Sequence, residues 1–337
     1  MSDKKLLNIA KNESWETLYY NHNSTIKPLL FKVEIYGNNM EKICFIDEDK
    51  NLVTMSNDLE ILKIESLFHQ TNVSNKITSF VSDLNAFDKV NEIIALVNKS
   101  FEILLINSME KSYEFINFPS TIYSCLLVQD KTYNRFALLA GSNNKIYLYD
   151  IPSKRILSTF KCSNSGVISN FIYIGGCLFL SISLKKNIEL WDLRRSEEPL
   201  KIFDRLIPHM TSSINSVDVD KYSLTGIFLL QGSKDGSYKV SNIHTGAKIK
   251  IGKLKNISKN NMKSIKFFCK EQEFALSLIE ESNELYLINL KTCEEKLIMP
   301  IQCQKKAVLH FLGVLPGSQK LIFVENNRLI MMKFCNN

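Results

Sequence analysis

The chain has few of the two residues that most often form tight turns: its 337 residues include only 12 glycines and 7 prolines. Asn, Ser and Asp, whose side chains bond nearby backbone groups, supply the turn residues in their place. No apolar run approaches the roughly 18 residues of a membrane-spanning helix, and the N-terminal segment lacks the continuous apolar core of a secretion signal. We therefore expect a protein that is neither secreted nor inserted into a membrane.

The eight cysteines are scattered and include no Cys-x-x-Cys pair. Several lie inside apolar runs, where a free thiol packs as a small apolar side chain. Disulfides are rare in the reducing cytosol and nucleus. We therefore expect reduced cysteines and a cytoplasmic or nuclear location.

The sequence also lacks the common motifs of catalysis. It has no Gly-x-x-x-x-Gly-Lys-[Ser/Thr] loop for phosphate groups and no Gly-x-Ser-x-Gly element for a hydrolase nucleophile. The five histidines are far apart, without the spacing of a metal site. We therefore expect a protein that is not an enzyme and that uses no cofactor, no metal ion and no small-molecule substrate.

One pattern, two short strands joined by a polar turn, recurs through the sequence. It is present at Phe179–Arg194, where the second strand ends in Trp191-Asp192. It returns at Gly141–Asp150 and at Gly232–Asn242, and weaker copies end near residues 65, 107, 289 and 333. The interval is about 42 to 50 residues, as in repeat proteins built from small sheets. An apolar strand lies about 25 residues before each strand end.

A strand that ends in Trp-Asp resembles the third strand of a WD40 repeat. The resemblance implies four-stranded blades around a central channel. With seven units, the sequence predicts an all-β fold, a seven-bladed β-propeller over residues 28–337. Residues 1–27 are expected to form an N-terminal extension with a short helix, because the apolar residues from Leu6 to Tyr19 fit a helical period.

Seven-bladed WD40 rings are closed by an N-terminal strand that completes the last blade. Little sequence follows the apolar run at 329–334, so the fourth strand of that blade is expected from elsewhere. Leu30–Ile35 alternates apolar and polar residues and is predicted to be this strand. An open ring would leave unpaired strand edges, which favour aggregation.

A lysine cluster is the strongest charge feature of a chain whose net charge is +7. Seven lysines occur between residues 248 and 266 with no acid between them. Such a patch attracts an acidic or phosphorylated peptide, or a nucleic-acid backbone. The candidate partner-binding residues are Lys253, Lys255 and Lys259, with Lys234 and Asp235 in a nearby turn. A solvated loop without a ligand is the alternative interpretation.

A second candidate is the segment Trp191-Asp192-Leu193-Arg194. It resembles the WDxR box of WD40 proteins that dock on a cullin adaptor of the DDB type. The resemblance implies that Trp191, Asp192 and Arg194 contribute to an adaptor contact. The same box also occurs in propellers without a ligase role.

Together these features favour a non-catalytic scaffold, a subunit of a multiprotein complex that binds proteins or peptides on its propeller faces. This expectation rests on analogy with the fold. Residues 165–245 also resemble the small propellers of the mitotic-checkpoint and mRNA-export group, which bind a short helical segment of a partner. The alternatives are a substrate receptor of a cullin-type ubiquitin ligase and a nuclear nucleic-acid or chromatin-associated propeller.

Overall fold

A computed structural model describes most of the chain as strands and the turns between them. The described residues are 15–20, 28–36, 40–47, 51–55, 59–63, 80, 84–130, 135–163, 166–184, 187–203, 214–220, 225–254, 262–267, 274–279, 284–292, 294–300, 309–315, 320–325 and 328–334. The named elements in these ranges are all β-strands. None of the described residues lies in a helix long and apolar enough to cross a membrane.

The strands form four-stranded antiparallel sheets, numbered here in chain order. Sheet 1 contains β2 (Pro28–Tyr36), β3 (Met40–Asp47), β4 (Asn51–Met55) and β5 (Leu59–Lys63). Sheet 2 contains β6 (Leu84–Val90), β7 (Ile93–Asn98), β8 (Ile103–Asn107) and β9 (Ser112–Ile116). Sheet 3 contains β10 (Ser124–Asp130), β11 (Arg135–Gly141), β12 (Lys145–Asp150) and β13 (Arg155–Lys161).

The later part of the chain repeats this plan. Sheet 4 contains β14 (Ile168–Gly175), β15 (Leu178–Ser183), β16 (Ile188–Asp192) and β17 (Lys201–Phe203). Sheet 5 contains β18 (Ile214–Asp220), β19 (Phe228–Ser233), β20 (Ser237–Asn242) and β21 (Lys248–Lys253). Sheet 6 contains β22 (Met262–Phe267), β23 (Phe274–Ile279), β24 (Glu284–Asn289) and β25 (Glu294–Pro300). Sheet 7 contains β26 (Leu309–Leu315), β27 (Lys320–Glu325), β28 (Arg328–Phe334) and β1 (Trp15–Tyr20).

The sheets repeat in detail as well as in strand number. In sheets 1, 2, 4, 5 and 6 the register between the first two strands shifts near the start of the first strand. The shifts lie between Pro28 and Leu30, Leu84 and Ala86, Ile168 and Asn170, Ile214 and Ser216, and Met262 and Ser264. A bulge of this kind bends a strand and increases its twist. The recurrence confirms the predicted all-β fold of repeated four-stranded sheets, which fits a β-propeller.

Apolar side chains pack between consecutive sheets and form the core. Val97 of sheet 2 lies in one cluster with Leu138 of sheet 3, and Phe160 of sheet 3 lies in another with Trp191 of sheet 4. Similar clusters join sheet 4 to sheet 5 and sheet 5 to sheet 6. Burial of such side chains stabilises the fold by about 1.5–3 kcal/mol each. Sheets 2 to 6 therefore depend on one another for the burial of their apolar faces.

The prediction of an N-terminal helix is wrong for residues 15–20, the part of that segment that the structure describes. Trp15–Tyr20 is β1, and it pairs antiparallel with β28, with Trp15 opposite Phe334 and Tyr20 opposite Leu329. Trp, Thr and Tyr favour strands, and a short apolar segment does not distinguish the two periods reliably. Residues 1–14, which complete the predicted helix, lie outside the described residues.

The strand predicted to complete the last blade is also wrong. Leu30–Ile35 belongs to β2, which pairs with β3 in sheet 1, whereas β1 adds to the last sheet. Strands that are consecutive in the chain commonly pair with each other. Alternation identifies a strand but carries no information about its partner, so the sequence pattern led to the wrong strand.

Candidate interaction surfaces

Asp192 ends the third strand of sheet 4 and caps the turn that follows. Its Oδ1 accepts a hydrogen bond from the backbone N–H of Arg194 over 2.9 Å. Four other third strands end in the same way, at Asn107, Asp150, Asn242 and Asn289. Asn and Asp are suited to this position because their side chains accept from backbone two or three residues ahead. Asp192 is thus a structural residue of the repeated turn.

Trp191 is fully buried and fixes the strand that carries Asp192. Its indole N–H donates to Ser181 Oγ over 3.0 Å. Its ring meets the ring of Phe160 edge to face, with centroids 5.5 Å apart. Trp191 therefore positions the neighbouring turn and presents no surface of its own.

Arg194 is the exposed member of this group, with 75% of its side chain accessible. Its Nε and Nη2 donate to the two carboxylate oxygens of Asp192, over 2.9 and 2.6 Å. These bonds lower the pKa of Asp192 and raise the pKa of Arg194. A guanidinium has more N–H donors than the two used here, so this side chain can also bind a carboxylate or phosphate of a partner.

Lys234, Asp235 and Lys253 come together at one end of sheet 5. Lys234 and Asp235 lie in the turn between β19 and β20, and Lys253 ends β21. Asp235 is buried and accepts a hydrogen bond from the backbone N–H of Ser237 over 3.0 Å. Nζ of Lys253 lies 4.0 Å from Asp235 Oδ2, and this lysine is 57% exposed. Lys234 is exposed as well, so two lysines present positive charge around one buried carboxylate.

Some lysines of the 248–266 cluster bond within the protein. Nζ of Lys250 donates to the backbone carbonyl of Lys291 over 2.6 Å. Nζ of Lys266 lies 3.4 Å from Asp218 Oδ1. Lys248 is exposed. The cluster is thus partly structural, which leaves fewer charges for a ligand than its sequence indicates.

The two groups predicted from the sequence lie at opposite ends of the strands. Arg194 follows a third strand, whereas Lys234 precedes one. The structure brings Asp192 to Arg194 and Asp235 to Lys253, but it does not bring these pairs together. The other two predicted residues, Lys255 and Lys259, lie outside the described residues.

The sequence interpretation missed an apolar component of the lysine-rich strand. Ile249 and Ile251 of β21 are 51% and 40% exposed. The signal was present as the alternation of lysine and isoleucine in residues 248–253. This alternation places apolar side chains as well as positive charge on one strand.

Glu189 in β16 is a buried carboxylate that the sequence did not indicate. Its Oε1 accepts a hydrogen bond from the backbone N–H of Ser163 over 3.0 Å, and its Oε2 has no hydrogen-bond partner among the described residues. Burial raises the pKa of Glu189. Burial, together with the Glu189 charge, raises the pKa of the Cys162 thiol. Lys239, which is also buried, occupies the corresponding register position in sheet 5.

Among the described residues, no group of three or more His, Cys, Asp or Glu side chains is arranged to hold a metal ion. No family model matches the sequence, and no curated protein is significantly similar to it. Any function therefore has to be inferred from the fold and from the exposed residues just described.

Proposed function

We propose that the sheets form a closed, seven-bladed β-propeller of the WD40 type. The pairing of β1 with β28 supports a ring in which the N-terminal strand completes the last blade. Contacts of β26 with β2 and β3 support the same arrangement, because they bring sheet 7 next to sheet 1. A ring has no exposed first or last sheet, which removes a site of aggregation.

Polar contacts at the inner strands support a rigid ring. The hydroxyl of Ser124 in sheet 3 donates to the carbonyl of Ile168 in sheet 4 over 2.8 Å. The hydroxyl of Ser216 in sheet 5 donates to the carbonyl of Ile265 in sheet 6 over 3.0 Å. Both bonds are buried, where a hydrogen bond is costly to lose.

Polar contacts at the outer strands have the same effect. Nζ of Lys201 in sheet 4 donates to the carbonyl of His244 in sheet 5 over 3.0 Å. Lys250 of sheet 5 makes the corresponding bond to sheet 6. Lys154 of sheet 3 forms a 2.9 Å ion pair with Glu114 of sheet 2. These outer contacts join sheet 2 to sheet 3, sheet 4 to sheet 5 and sheet 5 to sheet 6.

The function that this geometry supports best is that of a non-catalytic scaffold, a subunit of a multiprotein complex in the cytoplasm or nucleus. The observation that carries this proposal is the cationic turn of sheet 5. Lys234 and Lys253 are exposed there, and a buried Asp235 fixes the turn between them. Exposed side chains on rigidly held turns are suited to the recognition of other proteins.

Purification of the tagged chain, followed by mass spectrometry, tests the proposal. We expect a defined set of proteins to be retained at physiological salt. The double variant Lys234→Glu/Lys253→Glu should lose part of this set. Lys161→Glu, at an exposed lysine on the outer strand of sheet 3, is the matched control and should retain it. Retention of no protein above background by the unmodified chain would contradict the proposed function.

Exposure of Arg194 favours one second candidate, the substrate receptor of a cullin-type ubiquitin ligase. The guanidinium stands out from the turn at the end of β16 and is oriented by Asp192. Arg194→Ala should then abolish retention on an adaptor of the DDB type. Arg195→Ala, at the adjacent exposed arginine, should leave it unchanged. Equal retention of both variants would exclude this candidate.

A further inference from the structure

The outer strand of sheet 5 has an open edge. β21 pairs with β20, with Ser237 opposite Lys253 and Val240 opposite Lys250. Among the described residues no other strand pairs with it. Within the part of the chain that the structure describes, the outer side of β21 therefore faces no other strand.

The side chains of β21 combine exposed apolar and cationic groups. Ile249 and Ile251 are 51% and 40% exposed, and Lys248 and Lys253 are exposed beside them. The register has its irregularity at the start of the strand, where Ile249 has no cross-strand partner. The rest of the strand, from Lys250 to Lys253, pairs regularly with β20.

We propose that β21 binds an extended acidic segment of a partner protein, which adds to sheet 5 as a fifth strand. This inference rests on the proposed scaffold function and names the partner chemistry for one of its surfaces. The backbone of the segment bonds to the edge of β21, which supplies most of the affinity in strand addition. Its apolar side chains cover Ile249 and Ile251, and a carboxylate on the same face as Ile251 pairs with Lys253.

The positive charge of β21 favours an acidic segment over a second copy of the chain. Two copies joined edge to edge at β21 would bring Lys248, Lys250 and Lys253 of one copy against the same lysines of the other. Like charges opposite each other destabilise strand pairing. An acidic segment replaces this repulsion with attraction and also speeds the encounter.

The exposed isoleucines of β21 favour an acidic peptide over a nucleic acid as the ligand. A nucleic-acid backbone is bound by cations, and its bases stack on aromatic side chains. The exposed residues of β21 between the lysines are Ile249 and Ile251, which are aliphatic. Exposed aliphatic residues on a strand edge suit the alternating side chains of an extended peptide.

Binding of a defined probe to the full chain tests the proposal. The probe is a fluorescent peptide about ten residues long, titrated by anisotropy. Valine and glutamate take turns at every second position of this peptide, so that both types face Ile251 and Lys253 on one side of the strand. Two further probes each carry N-methyl groups on every second backbone amide, one peptide at the odd-numbered and the other at the even-numbered residues. The peptide that loses the N–H donors facing β21 should not bind, whereas the other peptide should still bind.

Matched variants locate the site. Ile249→Thr/Ile251→Thr should weaken binding by about tenfold or more, because the apolar contact is lost. Lys248→Glu/Lys253→Glu should weaken it and reduce its salt dependence. Leu157→Thr, at a leucine that is 55% exposed on the outer strand of sheet 3, is the control and should bind normally. Thermal unfolding of each variant shows whether it is folded.

Several results would overturn the proposal. The first is that the probe does not bind, and the second is that both N-methylated probes bind equally well. The third is that the isoleucine variant binds the probe as tightly as the unmodified chain. The fourth is that an oligonucleotide of the same charge binds more tightly than the probe and is unaffected by the isoleucine substitutions. A dimer that depends on Ile251 would identify the second copy as the occupant. If the probe does not bind while purified partners are still retained, this inference fails and the scaffold function stands.

Discussion

The carboxylate of Asp88 accepts a hydrogen bond from the backbone N–H of Leu127 over 2.7 Å, and so joins the first strands of sheets 2 and 3. Asp218 and Phe267 make the same contact between sheets 5 and 6 over 2.8 Å. Both aspartates are the fifth residue of their strand. The contact is therefore part of the repeat and holds neighbouring sheets in a fixed relation.

Removal of the Asp88 carboxylate is expected to destabilise the fold. Asp88→Ala leaves the N–H of Leu127, a buried residue, without this acceptor, and should lower the free energy of unfolding by about 1–3 kcal/mol. Glu92→Ala, at an exposed acid near the end of the same strand, should change it by less than about 0.5 kcal/mol. Urea unfolding followed by circular dichroism measures both. Equal effects of the two variants would show that the contact between the sheets contributes nothing.

The bond between Trp191 and Ser181 leads to a second prediction. Ser181→Ala leaves a buried indole N–H without its acceptor, which should cost about 1–3 kcal/mol of unfolding free energy. Ser100→Ala, at an exposed serine, is the control and should be nearly neutral. An unchanged midpoint of thermal unfolding for Ser181→Ala would contradict this role of the serine.

Glu189 predicts a dependence of stability on pH. Because burial raises its pKa in the folded chain, its contribution to stability is full below the unfolded pKa of about 4.3 and is lost as the pH rises through the folded pKa. Glu189→Gln does not titrate. The variant should therefore gain stability relative to the unmodified chain between pH 4 and pH 7, as measured by urea unfolding at each pH. A difference that is constant over this range would refute the assignment.

The same carboxylate should slow the alkylation of Cys162. Burial and the Glu189 charge raise the pKa of this thiol, and the thiolate is the reactive form. Iodoacetamide at pH 8 should label Cys162 much more slowly than it labels a cysteine in an unstructured peptide. Glu189→Gln should raise the rate. Peptide mass spectrometry measures the labelling, and a rate that is unaffected by the substitution would mean that the carboxylate does not act on the thiol.

The sequence was sufficient for the repeated strands because each unit carries its own local signals. Apolar alternation predicts the strands, and an Asn or Asp after the third strand predicts the turn, as at Asp192 and Asn289. These signals depend on residues close together in the chain. They do not depend on which sheet lies next to which.

What the sequence did not provide depends on contacts between distant residues. The pairing of Trp15–Tyr20 with β28 joins the two ends of the chain, and no local pattern specifies it. Burial of Glu189 was unexpected because glutamate is usually exposed. The internal bonds of Lys250 and Lys266 were not predictable from the sequence either, since their acceptors lie in neighbouring sheets.

Hydrogen exchange at the two terminal strands tests the closed ring most directly. In the full chain, the amides of Trp15–Tyr20 that face β28 and the amides of Arg328–Phe334 should exchange slowly, because the two strands pair. Deletion of residues 1–20 should accelerate exchange in Arg328–Phe334 and leave Ile188–Asp192 in sheet 4 protected. Rapid exchange of Trp15–Tyr20 in the full chain, with no effect of the deletion on Arg328–Phe334, would contradict the closed propeller.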